Sequence, residues 1–327
     1  MLGIDVSKAT LAYTLLNDQT HQPDQDGTVP NTEDGIASLL RQIPATHAWV
    51  AEPTGPYSQL LVTTGQQAGR TVLLAPPRQA KAFLRAITPR AKTDRLDSRG
   101  LAHYAQAVVL RPFPVKTEMV VQLEQLLAAR KGISRSLAQL RQQRQVLPYA
   151  IGPLDAAIAA LAAQRTTLDR QIAQLTTETE LTVAADLTHI PGIGPVTAAA
   201  LAACFASHSF ADPDQFVAYI GLDVRVRDSG QRTGQRALSK RGNPELRRLL
   251  YLGAQANLCT RDPENPFKTQ YLREREKGLS STAALNAVAR KLAKTAWSIA
   301  THDTTYDPAR VHRQPSRERS VPLDTEP

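Results

Sequence analysis

Two carboxylates three residues apart open the helical pattern that starts in Lys92-Thr93-Asp94-Arg95-Leu96-Asp97-Ser98 and continues through Leu101, Ala102, Tyr104 and Ala105. At that spacing both acids share one helix face, a turn apart. Acids held side by side repel, share a proton or hold a cation. The plain alternative is a charged first turn, with Thr93 as N-cap and Lys92, Arg95 and Arg99 offsetting the repulsion. Two further acids decide between these readings. Asp5, in Leu2-Gly3-Ile4-Asp5-Val6-Ser7-Lys8, and Glu52, in Glu52-Pro53-Thr54-Gly55, each lie near the C-terminal end of a predicted strand, where open α/β sheets place their sites. Singly, each reads as a strand-end turn residue or a solvated acid. With Asp94 and Asp97 they make an all-oxygen set without His or Cys, suited to Mg²⁺ or Mn²⁺. Such sites most often perform phosphoryl transfer, with paired ions about 3.5–4 Å apart flanking the phosphate.

A second concentration of chemistry lies downstream. Between Arg225 and Arg248 the basic residues Arg225, Arg227, Arg232, Arg236, Lys240, Arg241, Arg247 and Arg248 face only Asp228 and Glu245, a net of +6 over 24 residues. That density suits phosphates. Ser229 precedes a glycine among these arginines, where a hydroxyl attacking a phosphodiester would need to be. Composition does not separate it from Ser239 or from a turn serine, and spacing alone favours the turn. Ile190-Pro191-Gly192-Ile193-Gly194, between helical patterns, matches a helix-hairpin-helix. Gly192 and Gly194 would let the backbone approach phosphate beside a helix N-terminus; the alternative is a tight helical hairpin without ligand.

The elements that must position these residues follow from periodicity. Leu2–Lys8, Thr10–Leu16, Gly27–Pro30, His47–Ala51 and Thr71–Ala75 read as strands. Helical patterns cover Ile36 to Ile43, Tyr57 to Ala68 and Arg78 to Ile87, then the opening motif to near Val109. Strands first, then strands alternating with helices, predict an α/β domain over residues 1–113. Pro112 and Pro114 mark a linker. Apolar residues at 3/4 spacing on either side of a Pro148–Pro153 break predict two helices of an antiparallel coiled-coil arm over 114–180, closed in cis as a hairpin or dimerising in trans. The dimerisation reading is preferred, because a lone hairpin needs partners for its outer apolar residues. A mostly helical domain over 181–301 follows, and a Pro-, Thr-, Asp- and Arg-rich tail from 302 reads as disordered.

The totals agree with a polyanionic partner. Lys and Arg number 39 against 30 Asp and Glu, giving +9 among 327 residues. Nucleic acid is favoured over an anionic membrane, since no stretch approaches a spanning helix and no signal peptide opens the chain. Cys204 and Cys259 belong to no metal-type cluster and the histidines are scattered, so a reduced, cytoplasmic protein without zinc is expected.

In order and spacing, Gly3-Ile4-Asp5-Val6-Ser7-Lys8, Glu52-Pro53-Thr54-Gly55 and Lys92-Thr93-Asp94-Arg95-Leu96-Asp97 resemble the acidic motifs of the DEDD transposases, the RuvC-like recombinases of the insertion-sequence 110 family. Downstream, Ile190-Pro191-Gly192-Ile193-Gly194, Gly221-Leu222, Arg227-Asp228-Ser229-Gly230 and Ser239-Lys240-Arg241-Gly242-Asn243 with Leu246-Arg247-Arg248 resemble that family's C-terminal domain. The resemblance implies an RNase H-like N-terminal domain in which Asp5, Glu52, Asp94 and Asp97 bind Mg²⁺ or Mn²⁺. It implies Ser229 as nucleophile, forming a phosphoserine link to a cut DNA strand. It also implies a bacterial, nucleoid-associated homo-oligomer, dimer or tetramer, in which the serine of one protomer completes a site beside the acids of another. An element-encoded bridge RNA would pair with donor and target DNA while the protein reads backbone and shape. Only four residues precede Asp5, fewer than the family leads one to expect, so either the first strand is short or the start lies upstream of Met1.

Physical chemistry favours recombination in that reading. A serine ester conserves the phosphodiester bond energy for rejoining, whereas attack by water discards it. The competing readings are a metal-dependent junction-resolving endonuclease, with Ser229 only a phosphate contact, and a non-catalytic nucleic-acid scaffold. The intact set of four acids argues against the scaffold.

Overall fold

A computed structural model describes residues 1–17, 19–87, 93–177, 181–225 and 237–311. The chain divides into two compact units, Met1–Val115 and Lys116–Pro327.

The first unit is built on one mixed sheet. β1 (Leu2–Val6), β2 (Thr10–Leu16) and β3 (Pro23–Pro30) form an antiparallel meander. α1 (Glu33–Gln42) then leads to β4 (Trp49–Ala51), α2 (Gln59–Gln67) to β5 (Val72–Leu74), and α3 (Pro77–Ile87) with α4 (Asp94–Ala107) to β6 (Arg111–Pro112). The order is β3-β2-β1-β4-β5-β6, with β1, β4 and β5 parallel and β6 antiparallel at the edge. Helices cover both faces, as parallel strands require. Leu2, Ile4, Leu11, Tyr13, Trp49 and Ala51 pack with Ile36, Leu39 and Leu61 of α1 and α2. On the other face Val50 packs with Leu101, Tyr104 and Ala105 of α4.

Sequence periodicity underestimates two of these strands. β3 begins at Pro23 rather than Gly27, because its polar start is fixed by pairing along all of β2, from Thr10↔Pro30 to Leu16↔Pro23. β6 falls where prolines suggested a linker; Pro112 sits at an edge that needs no donor from it, and the Phe113 amide donates to the Val72 carbonyl at 2.8 Å.

In the second unit, α5 (Glu118–Val146) and α6 (Ile151–Leu175) form an antiparallel hairpin. Arg130 pairs with Asp169 and Arg144 with Asp155, so matched ion pairs recur 14 residues apart on each helix, the length of two heptads. Solvent screening leaves such exposed pairs little net energy, so they set register more than stability. The hairpin is not a separate body. Val120, Leu123 and Ile172 at its base share one core with the helices that follow, which replaces the expected division at 180 by continuous packing.

Those helices are α7 (Val183–Thr188), α8 (Pro195–Ser207), α9 (Pro213–Tyr219), α10 (Pro244–Leu258), α11 (Pro266–Glu276) and α12 (Ser281–His302), with the short ladder β7 (Val224–Arg225) and β8 (Ala237–Leu238) between α9 and α10. α12 is the centre. Its buried stripe of Leu285, Val288, Ala289, Leu292, Ala293 and Ala296 is mostly small or branched, which lets several helices approach it. Each of α9, α10, α11 and α12 starts at a side-chain cap: Asp212, Asn243, Asn265 and Ser280 each accept from backbone amides of the first turn. α11 was hidden by its charge, because only Pro266 and Phe267 in it are buried. The tail expected from 302 is ordered at least as far as 311: Tyr306 stacks on Phe267 with centroids 6.4 Å apart, and Val311 is buried.

Gly3→Ala tests how α4 is seated. A Cβ there would lie 2.0 Å from the Ser98 carbonyl and 2.6 Å from the Ala102 amide. The expected cost is about 3 kcal/mol, the upper end for overpacking, read as a lowered thermal midpoint; an unchanged midpoint would mean α4 is not held there.

Candidate active site

Asp5 and Glu52 are placed by strand register. β1 and β4 run parallel with Ile4 opposite Ala51, so Asp5 and Glu52 occupy the next step, side by side where the ladder ends. Adjacent strands are about 4.8 Å apart. Leu2, Ile4 and Val6 are buried and packed on the α1 and α2 side; alternation turns Gly3 and Asp5 to the opposite face. There the missing side chain of Gly3 admits the backbone of α4, and the Thr14 and Ser98 hydroxyls share a buried hydrogen bond of 2.8 Å.

The direction of α4 follows from its partners. Arg95 pairs with Asp26, opposite Thr14 in the ladder, whereas Gln106 reaches His21, beyond the far end of β2. α4 therefore runs back along β1, and its first turn lies toward the sheet edge where Asp5 and Glu52 sit. Thr93 caps that turn, accepting from the Leu96 amide at 3.3 Å. Asp94 is exposed, and Asp97, Asp5 and Glu52 are half-buried. Among the described residues no three His, Cys, Asp or Glu side chains are close enough together to hold an ion. The acids thus share an edge without forming a closed cage. Lys92 lies outside the described residues.

In the second unit Ser229, Arg227, Arg232 and Arg236 lie outside the described residues. The residues that flank them do not. Arg225 and Ala237 are cross-strand partners, and Val224 pairs with Leu238. Ser239, the other candidate hydroxyl, is buried; it donates to the Asp223 carboxylate and accepts from the Arg241 amide at 3.2 Å. It therefore holds the turn. The preceding loop is tied by Arg247, whose Nη1 donates to the Ile220 carbonyl at 2.9 Å, and by Arg290, whose Nε donates to that of Leu222 at 3.1 Å. Gly221, with φ +72°, and Gly242, with φ +143°, take backbone conformations suited to glycine. A Cβ on Gly242 would lie 2.0 Å from the Tyr219 carbonyl.

The basic patch is thereby divided. Arg247 has a structural partner, and Arg248 shares Glu245 with Lys131 at 2.6 and 2.8 Å. Lys240 and Arg241 are exposed and Arg225 half-exposed. Gly192 and Gly194 also part ways. Gly192, at φ +86°, lies against α10, where a Cβ would meet Gly253 oxygen at 2.3 Å and Asn257 Nδ2 at 2.2 Å. Packing accounts for it. Gly194 is exposed with open space around it, at the start of α8.

The family model described as Transposase, for the DEDD transposases of the IS110 type, matches residues 2–149, and that of the Transposase IS116/IS110/IS902 family matches 184–271. The chain belongs to the IS110 family of DEDD transposases. It is 28% identical over 322 residues to a pilin gene-inverting protein of Moraxella lacunata, covering 95% of this chain and 98% of that one. A probable family 20 transposase of Pseudomonas aeruginosa is 26% identical, covering 74% of this chain and 81% of that one. A solved structure of T. thermophilus RuvC in complex with a Holliday junction substrate aligns over 34% of this chain and 99% of its own at 15% identity, with a TM-score of 0.26, a likeness too slight to argue from. This transposase is accordingly an enzyme that acts on DNA. Among the described residues no helix is long and apolar enough to cross a membrane.

Sequence reasoning missed one polar group in the transposase. Cys204, His208 and Tyr219 line a cavity of about 580 Å³ with Asn243, Glu245 and Arg248. The three come from α8, its C-terminal flank and α9, and isolated residues of those types gave no spacing signal. Burial pushes the Cys204 thiol up to about 12, raises the Tyr219 hydroxyl, and lowers His208. Cys204 therefore stays a thiol at pH 8, while Cys259 is exposed. A thiol-labelling time course at pH 8 is expected to show one fast site per native chain and two after denaturation; two fast sites in the native chain would contradict this burial.

Proposed function

We propose that this transposase cuts and rejoins DNA strands through a phosphoserine intermediate at Ser229, beside a divalent-metal site formed by Asp5, Glu52, Asp94 and Asp97, with donor and target chosen by a bridge RNA. The observation that carries the reading is the arrangement of the acids: two on neighbouring strand ends, with the capped first turn of α4 at the same edge. The donor set fits a hard cation, being all carboxylate. When bound, Mg²⁺ or Mn²⁺ would neutralise charge on the phosphate and on the departing oxygen.

The chain's own residues do the rest. The Ser229 oxygen attacks phosphorus, forming one P–O bond as the bond to the departing strand oxygen breaks. The serine proton leaves and the departing oxygen gains one. A hydroxyl of the second strand reverses this, releasing serine, so phosphodiester number is conserved without a nucleotide cofactor. Arg225, Lys240 and Arg241 flank the serine segment and supply cationic charge for a strand backbone. A relative named for inverting a pilin gene supports rearrangement over degradation. The transposase acts as a homo-oligomer in which the α5–α6 hairpin serves as the coiled-coil arm and one protomer's Ser229 meets another's acids.

Denaturing gels of the protein with cognate RNA, donor and target DNA test this directly. Asp5→Asn and Asp97→Asn should abolish cleavage. Ser229→Ala should abolish the covalent adduct and lower strand exchange by on the order of 10³-fold or more. Cleavage that persists in Ser229→Ala would turn the reading to a junction-resolving endonuclease.

A further inference from the structure

A basic groove on the first unit has no role in the chemistry above. It lies along α4, from Leu96 to Gln106, and measures about 630 Å³. His21, Phe83, Leu96, Arg99, His103 and Gln106 line it. Three of these six are basic, and no carboxylate is among the lining residues described. Arg99 Nε lies 3.5 Å from His103 Nε2, and Arg99 Nη2 reaches the neutral Gln22 at 3.4 Å. Among the described residues Arg99 therefore has no carboxylate partner. Of the acids on β3, Asp26 is engaged by Arg95 and Asp24 by Asn17.

His21 reinforces the arrangement. It is one of three non-glycine residues at positive φ among those described, at 55°, and its ring meets Gln106 at 3.1 Å. Backbone strain of this kind persists where surroundings over-determine it and gathers at ligand sites. Burial, with Arg99 and His21, also lowers the pKa of His103. Among the described residues the Arg99 guanidinium keeps its charge without an acid, beside imidazoles whose N–H groups can donate to an anion. The apolar wall of Phe83 and Leu96 beside these donors is the pattern that holds a nucleic-acid backbone, with a guanidinium and imidazole N–H groups on phosphate and an aromatic edge near sugar or base.

We propose that the His21–Arg99–His103 groove binds a backbone phosphate of the nucleic acid this transposase works on, a contact made by residues other than the four acids. It rests on the reading of the chain as a nucleic-acid enzyme and not on the serine or metal chemistry. The test is therefore run in chelator, where cleavage is silent. Fluorescence anisotropy of the full chain would be measured with a labelled DNA duplex and, separately, a structured RNA, across a salt series. Arg99→Gln and His103→Gln are compared with Arg41→Gln, a matched charge loss on α1, across the sheet. Thermal midpoints accompany each variant, so that if Arg99→Gln disturbs folding, His103→Gln carries the comparison. Arg99→Gln is expected to weaken binding about tenfold and to flatten the log–log salt slope by about one, with Arg41→Gln near wild type. Loss on DNA alone or RNA alone also supports the groove and names its strand. Loss under threefold on both ligands, or an equal loss in Arg41→Gln, overturns it.

Discussion

In the first unit α4 and β1 meet backbone on backbone: α4 crosses β1 at a residue with no side chain. Gly3 allows it, and the buried Thr14–Ser98 hydrogen bond fixes the depth. A larger residue at position 3 would lift the helix. Because α4 runs back along β1 from that contact, the position of Asp94 and Asp97 relative to Asp5 and Glu52 is set by one seating. Carboxylates repel when gathered, so the fold must hold them by packing elsewhere. The Leu101, Tyr104 and Ala105 face of α4 against Val50 does that work, leaving the acids to respond to what they bind.

The second unit applies the same logic to a loop. Ser239 on Asp223, Arg247 on the Ile220 carbonyl and Arg290 on the Leu222 carbonyl secure the chain on both sides of the serine-bearing segment. Gly221 and Gly242 allow the turns that bring those sides together. Several residues that look, by type, like phosphate contacts are thus spent on structure. Net charge does not show this, because Arg247 and Lys240 carry the same charge and only burial and partners separate them.

How much of this was legible depends on whether the signal was local. The placement of Asp5 and Glu52 at neighbouring strand ends is legible because strand patterns and acids are both visible along the chain, and the order of strands and helices indicates an α/β unit. β6 and the start of β3 were not visible, since they exist through pairing with β5 and β2 and carry little apolar pattern of their own. α11 was missed because its exposed face is charged and only Phe267 anchors it deeply. The Cys204–His208–Tyr219 cavity and the His21–Arg99–His103 groove were missed for another reason. Each joins residues from separate elements, and no spacing rule links His21 to His103. Gly192 carries a constraint the motif does not reveal: the space its Cβ would need is filled by Gly253.

Asp5, Glu52, Asp94 and Asp97 are proposed to converge on one divalent cation at the strand-end edge. Anomalous diffraction from crystals of the transposase grown with Mn²⁺ and its nucleic acid measures this most directly. A Mn²⁺ peak is expected with oxygens of Asp5, Glu52 and at least one of Asp94 and Asp97 about 2.0–2.3 Å away, the range for hard divalent ions on oxygen. An ordered complex with no peak there, or with Mn²⁺ held by other residues, would contradict it.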